Sequence, residues 1–530
     1  MERLPLILHE DDDLLVVNKP PGWNTHAPDP FAGEGVYEWL RNREPRWAGL
    51  SILHRLDQVT SGVLVFGKSP RANRSLTEQF EHRRVHKRYL LLTAQAGPGE
   101  ETVVRSEIVR DGERYRAAGA GEGLPAETRF RPAGPRGNWH CLEAEPMTGR
   151  THQIRVHAAQ AGFPVLGDTL YGGDPFPRVC LHAAELGLQH PADQTWRVFS
   201  APVDFGEPRS RGLRRACLDP ALTDAFRLVH GVADDEPGWF LECLGDRLLS
   251  GSLEPDLPPA RLERLREWLR SEGLRGAFHK PLDRHVRRRD PDTAAPRLLL
   301  GEDCPGEFCI RENGLRFRAV FDRGYSYGLF LDQRDNRRRL QVDHVAAGFP
   351  APMSFAGGKR LLNLFAYTCG FSVAAAPAGW QTTSLDLSRN YLDWGRANFA
   401  ANGPVPEAQD FIYGDAFDWL RRFARKERRF ELIILDPPTF SGGRHGTFRA
   451  ETDYPRLVTA AASVLSPDGV LLASTNAGGL MPREFCGLVE ETLEGLGRRV
   501  VARHYAPQPP DFPICREQPA HLKTLWLKVE

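Results

Sequence analysis

Asp57, in the run His54-Arg55-Leu56-Asp57-Gln58-Val59-Thr60-Ser61-Gly62, has the surroundings of a carboxylate nucleophile. Arg55 stands two residues before it, and Thr60-Ser61-Gly62 supplies short hydroxyls and a flexible glycine ahead of the apolar run Val63-Leu64-Val65-Phe66. A carboxylate kept near a guanidinium stays ionised and oriented, as nucleophilic attack requires. A structural Arg–Asp pair would explain R-x-D alone but not the whole nine-residue pattern. Farther along, Asp436 closes the apolar run Leu432-Ile433-Ile434-Leu435 and leads into Pro437-Pro438-Thr439-Phe440. Two prolines stiffen that loop at the C-terminal edge of a sheet, where open α/β sheets bind ligands.

Three further groups would serve such a ligand. Asn363-Leu364-Phe365-Ala366-Tyr367-Thr368-Cys369-Gly370 runs from a strand into a small-residue turn before a helix, a place for a backbone nest that holds part of a cofactor. Asp386 ends the next strand and could accept from two ribose hydroxyls. Asp415 ends another and could accept from an adenine amino group.

The elements that carry these residues fall into distinct regions. Residues 1–205 read as mixed strands and helices, with a strand over Leu14–Lys19, a helix over 70–82 and a strand over Arg88–Thr93. Residues 206–222 are polar, arginine-rich and flanked by prolines, and read as a linker. Residues 223–325 form a small α+β unit with a helix from Pro259 to Arg270. From 326 to 530, apolar strands alternate with amphipathic helices, the mark of a doubly wound α/β sheet. The expected fold is therefore multidomain, α+β followed by α/β.

Composition narrows the function classes. No apolar run approaches the ~20 residues that span a bilayer. Nine cysteines without C-x-x-C spacing fit reduced thiols in a cytoplasm and offer no zinc site. Formal net charge is zero, so any nucleic-acid grip must come from local basic clusters such as Arg83-Arg84 with His86-Lys87-Arg88, Arg209 to Arg215, Arg284 to Arg289 and Arg334 to Arg339.

H-R-L-D-x-x-T-S-G resembles the signature of the RluA family of pseudouridine synthases. So do Gly149-Arg150-Thr151-His152-Gln153-Ile154-Arg155, Lys87-Arg88-Tyr89, Val165 to Gly172 and Leu181-His182-Ala183, over roughly residues 5–205. The resemblance implies isomerisation of uridine in RNA, without cofactor or metal. Asp57 would attack the flipped nucleotide, Tyr89 would stack on the base, and Arg155 would be the ion-pair partner of Asp57. Arg55 would fill the gap left by the extruded nucleotide. Arg150 and His152 would face phosphate or play structural parts.

The second half, about 223–530, resembles class I S-adenosylmethionine methyltransferases, specifically the 23S rRNA enzymes of the RlmI and RlmK types. The run from Gly324 to Arg337 is close to their G-x-x-x-G-x-F-L-D-Q-R-x-N-R segment, and Arg227 to Gly231 and Glu312-Asn313-Gly314-Leu315 match their small substrate-recognition domain. The implied cofactor is S-adenosyl-L-methionine, held by Tyr327, Asp332, Arg334, Asn363, Phe365, Tyr367, Thr368, Gly370, Asp386, Asp415, Asp436 and Pro437, with Asp436 also catalytic. Two departures stand out: the D/E-x-G-x-G-x-G loop is absent, and Cys369-Gly370 replaces a frequent Gly-Gly.

Methylating cytosine carbon 5 requires a cysteine that first adds to the ring. RlmI-type enzymes carry Ser-Cys-Ser where this chain has Ser474-Thr475-Asn476-Ala477, and the Asp-Pro-Pro loop has no cysteine either. A ring nitrogen attacks the methyl sulfonium with its own lone pair. The expectation is a bifunctional RNA-modifying enzyme, methylating guanine nitrogen 7 of 23S rRNA first among candidates. Transfer RNA is a further possible substrate for the synthase half, and neither DNA nor membrane is expected as a partner. The alternatives are one live half beside an RNA grip, cytosine carbon 5 methylation, or a non-catalytic ribosome-assembly factor.

Overall fold

The computed structural model describes residues 4–282, 295–322, 326–350, 358–403, 409–443 and 446–530. The basic cluster Arg284 to Arg289, and Gly324-Tyr325 of the motif before the second sheet, lie outside the described residues. The chain packs as two units: Met1–Pro28, Glu34–Trp39 and Gly49–Leu218 form the first, and Asp29–Gly33, Leu40–Ala48 and Asp219–Glu530 the second.

The first unit is built on an eleven-stranded sheet that includes, side by side, Leu14–Lys19, Ser61–Gly67, Leu181–Gln189, His86–Thr93 and Trp139–Pro146. Every pairing is antiparallel except that of Ser61–Gly67 with Leu181–Gln189. Gly62 permits that parallel contact: its φ is +119°, and a Cβ there would fall 2.2 Å from the Ala183 carbonyl oxygen. Leu14, Val16, Val63 and Val65 point to one face and meet Ala72 and Leu76 of the helix Pro70–Glu81, which Ser69 caps by accepting from the Ala72 N–H. The helix Gln153–Gln160 is buried over most of its length, from Gln153 to Ala158.

The stretch expected as a linker is not one. Arg209–Cys217 is a helix of the first unit that buries Leu213, Arg214 and Cys217. The arginine-rich composition hides a one-sided apolar pattern, because long cationic side chains can lie along a buried face with their heads elsewhere.

In the second unit, Ala225–His230, Trp239–Leu244, Arg247–Ser252, Gly276–Pro281 and Arg297–Gly301 form a five-stranded sheet beside the helix Pro259–Glu272, and Glu307–Glu312 pairs with Leu315–Val320. A seven-stranded sheet follows, in the spatial order Asp410–Tyr413, Gln381–Asp386, Arg360–Leu364, Phe430–Leu435, Leu465–Thr475, Lys523–Val529, Val500–Ala506. The first five run parallel and Lys523–Val529 is antiparallel to both neighbours. Strand order reverses between Arg360–Leu364 and Phe430–Leu435, which sets a ligand crevice at their C-terminal ends. Described residues before 323 and after 325 pack together. Phe278, Ile310 and Phe317 share one core with Leu329, Cys369, Leu392 and Phe399, and the Arg316 and Arg318 N–H groups donate to Asn402 and Asn398.

Candidate active sites

The first unit holds a cleft of about 1110 Å³ whose walls include Arg55, Asp57, Tyr89, Arg150, His152 and Arg155. Asp57 begins a turn closed by the Thr60 N–H on its carbonyl, and the next carbonyl, of Gln58, accepts from Gly22 N and from Lys19 Nζ at 3.1 Å. Lys19 is fully buried and also donates to Pro20 O and Trp23 O. Burial pulls its ammonium down to about 7, against the charge of Asp57, which holds it up.

The guanidinium beside Asp57 belongs to Arg155, with Nη1 at 3.8 Å from Oδ2. Arg155 is buried, and its Nε and Nη2 donate to the two oxygens of Asp168 at 2.6 and 2.8 Å. Burial opposes its charge, yet the Asp168 bonds and the Asp57 charge leave it raised. His152, at φ 56°, places Nε2 at 4.0 Å from Asp57 while Nδ1 contacts the Tyr171 hydroxyl at 2.8 Å. Burial lowers that imidazole, so it stays neutral more readily. Tyr89 sits on a central strand facing the cleft; burial and the Asp57 charge push its phenol up, which keeps it protonated.

In the second unit, three non-glycine residues adopt left-handed backbone within five positions: Phe365, Tyr367 and Cys369, at φ 58°, 48° and 61°. Such strain persists where surrounding structure over-determines it, and it is concentrated at ligand clamps. The Asp386 oxygens accept backbone N–H groups, Oδ2 from Tyr367 and Oδ1 from Ser388, each at 2.8 Å. Burial raises the Asp386 carboxyl. Leu387 and Tyr413, 40% and 52% exposed, stand at the ends of adjacent strands.

Asp436 accepts from Gln333 Nε2 at 3.2 Å, and Asn336 Nδ2 fixes Gln333 by donating to its Oε1 at 2.7 Å. Burial, with the neighbouring Asp332 charge, pushes Asp436 up to about 7. Asp332 itself moves down: burial is outweighed by His521, whose Nε2 is 3.0 Å away. The two carboxyls thus differ in proton affinity across neutral pH. Thr439 Oγ1 donates to Asn476 Oδ1 at 2.7 Å, which turns the amide N–H₂ of Asn476 outward as a donor.

A family model described as S-adenosylmethionine-dependent methyltransferase matches residues 243–528, more than half of the chain. One described as RNA pseudouridylate synthase matches residues 13–160. The "Ribosomal large subunit pseudouridine synthase C" of Escherichia coli (strain K12) is 37% identical over 219 residues, covering 38% of this chain and 68% of the relative. The chain belongs to both families. The "Ribosomal RNA large subunit methyltransferase" of Deinococcus radiodurans is 28% identical over 363 residues, covering 67% of this chain and 85% of that protein. A solved structure described as a putative SAM-dependent methyltransferase from Streptococcus mutans matches with a TM-score of 0.51 at 26% identity, covering 65% of this chain and 87% of that one. One chain thus joins an RNA pseudouridylate synthase region to an S-adenosylmethionine-dependent methyltransferase region.

The other expected site residues take the following places. Arg55 does not hold Asp57: it is turned to solvent, with Nη1 at 3.1 Å from His26 Nε2. The irregular backbone before the turn buries Leu56 and directs its neighbours apart. Arg334 is fully buried in a two-point pair with Asp511, Asn363 donates to Ser372 inside the sheet, and Thr368 donates to the Gly328 carbonyl. These three side chains are spent on packing. Tyr327 is buried within the same core. Asp415 caps the helix Ala416–Arg425 through Oδ1 and keeps Oδ2 for another donor. Arg150 lines the cleft wall and donates to the Pro125 carbonyl. Sequence reasoning assigned no part to Asp168, Tyr171 or Lys19; the Gly167-Asp168-Thr169-Leu170-Tyr171 run carried the signal for the first two.

Proposed function

We propose that Asp57 isomerises a uridine of large-subunit rRNA and that the second unit methylates nitrogen 7 of a guanine in the same RNA class. The observation that carries the first half is Asp57 on the wall of a nucleotide-sized cleft, with a buried guanidinium fixed beside it. Asp57 would attack either the ribose carbon 1′ or the uracil ring of a flipped nucleotide. The glycosidic bond breaks, the uracil turns and rejoins through carbon 5, and the proton displaced there leaves for nitrogen or solvent. Tyr89 stacks on the base.

In the second half, S-adenosylmethionine supplies an electrophilic methyl group when bound. The left-handed turn around Tyr367 and the Asp386 carboxylate at the end of the next strand fit its charged and ribose parts. Guanine offers two acceptors, oxygen 6 and nitrogen 7, on one edge. Asn476 supports this reading by presenting a donor beside the Asp436 loop. Methylation at nitrogen 7 leaves a cationic base, which ionised Asp436 and Asp332 would stabilise. The runs Asp436–Ser441 and Ser474–Ala477 contain no cysteine for attack on a pyrimidine carbon. Mass spectrometry of rRNA nucleosides after incubation with the protein and S-adenosylmethionine should find pseudouridine and 7-methylguanosine; 5-methylcytidine instead would refute the base assignment.

A further inference from the structure

We infer that His26 is a positioning residue that holds Arg55 ready to enter the space of the extruded nucleotide. The inference rests on reading Arg55 as the residue that fills that space. His26 Nδ1 lies 3.1 Å from the Ala27 carbonyl, which can only accept, and Nε2 lies 3.1 Å from Arg55 Nη1, which can only donate. With the ring proton on Nδ1 toward the Ala27 carbonyl, the Nε2 lone pair faces the guanidinium as its acceptor.

The histidine is itself held. A Cβ on Gly35 would fall 2.5 Å from His26 Cα, so backbone is pressed against backbone there. Thr25 Oγ1 donates to the Leu56 carbonyl and accepts the Leu56 N–H, lacing the segment before His26 to the segment that carries Arg55 and Asp57. Glu38 accepts the Ala27 N–H at 2.9 Å. Among the described residues no carboxylate lies within ion-pair distance of Arg55. A lone neutral acceptor orients a guanidinium while holding it less firmly than a carboxylate would, so Arg55 can leave for the base stack when RNA arrives.

The test uses the full chain and an rRNA stem–loop with 2-aminopurine beside the target uridine, whose fluorescence rises when the stack opens. His26→Phe keeps an aromatic ring but removes the acceptor, and should slow both the fluorescence rise and pseudouridine formation by about tenfold, the worth of one hydrogen bond. His26→Gln restores an acceptor and should recover most of the rate. On an RNA whose target uridine is already unstacked, both variants should match the parent enzyme. Opening at the parent rate in His26→Phe but not in Arg55→Ala would overturn the inference alone, as would His26→Gln behaving like His26→Phe. Opening at the parent rate in Arg55→Ala would overturn the reading of Arg55, and the inference with it.

Discussion

Arg155 gives its two best-aligned N–H groups to Asp168 and turns only Nη1 toward Asp57. Asp168 therefore fixes the plane of the guanidinium, and Asp57, the proposed nucleophile, faces a group that is itself locked. Lysine cannot reproduce this fork. Arg155→Lys should lower the rate of pseudouridine formation by about a hundredfold with little change in RNA affinity, because misplacement of order 1 Å costs that much in positioning; filter binding and single-turnover rates separate the two. Asp57 and Arg155 were legible in the sequence through their motifs. The neighbour of Arg55 was not, since residues two apart in irregular backbone need not face one another. At the other site, Asp436 is raised to about 7, so the folded protein takes up its proton earlier on the way down in pH than the unfolded chain does. Between the ordinary aspartate range and about 7 the folded state binds more protons, and this group's contribution to stability falls as pH rises through that window. Asp436→Asn should therefore raise the melting temperature more at pH 8 than at pH 5. Methylation that needs the carboxylate should rise with pH through about 7, and a rate flat across pH 6–8 would remove Asp436 from that role.

The elements show where sequence patterning is readable and where it is not. Parallel strands buried on both faces, such as Phe430–Leu435, show in the sequence as largely apolar runs. The helix Arg209–Cys217 is hidden in the sequence because four arginines stand among its nine residues. The turn after Arg360–Leu364 lacks the glycine-rich signature, since Phe365, Tyr367 and Cys369 take left-handed backbone that glycine usually supplies. No one-residue propensity foretells that; the surrounding core imposes it. Periodicity changes at 325/326, but side chains from before and after that point bond to one another. Arg337 donates Nε and Nη2 to Glu312 at 2.6 Å each, with both residues buried, and also donates to the Phe330 carbonyl. Removing one partner strands a buried charge. Glu312→Gln should destabilise the second unit by about 3–5 kcal/mol, while replacing both residues by apolar ones of similar volume should cost far less. Denaturant melts of the two variants check this, and equal losses would contradict it.

For the whole molecule, formal net charge is zero, so RNA must be gripped by local surfaces rather than by an overall field. Among the described residues no helix is long and apolar enough to cross a membrane, and no cluster of His, Cys, Asp or Glu could hold a metal ion. Membership of two families could be read from short motifs far apart in the chain. The base that is methylated could not, because it depends on which donors and carboxyls meet at the Asp436 loop. The claim on which the rest depends is that one chain carries two separate chemistries, the first borne by a single carboxylate. Full-length Asp57→Asn, incubated with unmodified large-subunit rRNA and S-adenosylmethionine, puts this to the most direct test by nucleoside mass spectrometry. Pseudouridine should fall below detection while the methylated nucleoside forms at the parent rate; pseudouridine persisting near its parent level, or both products vanishing together in a correctly folded protein, would contradict it.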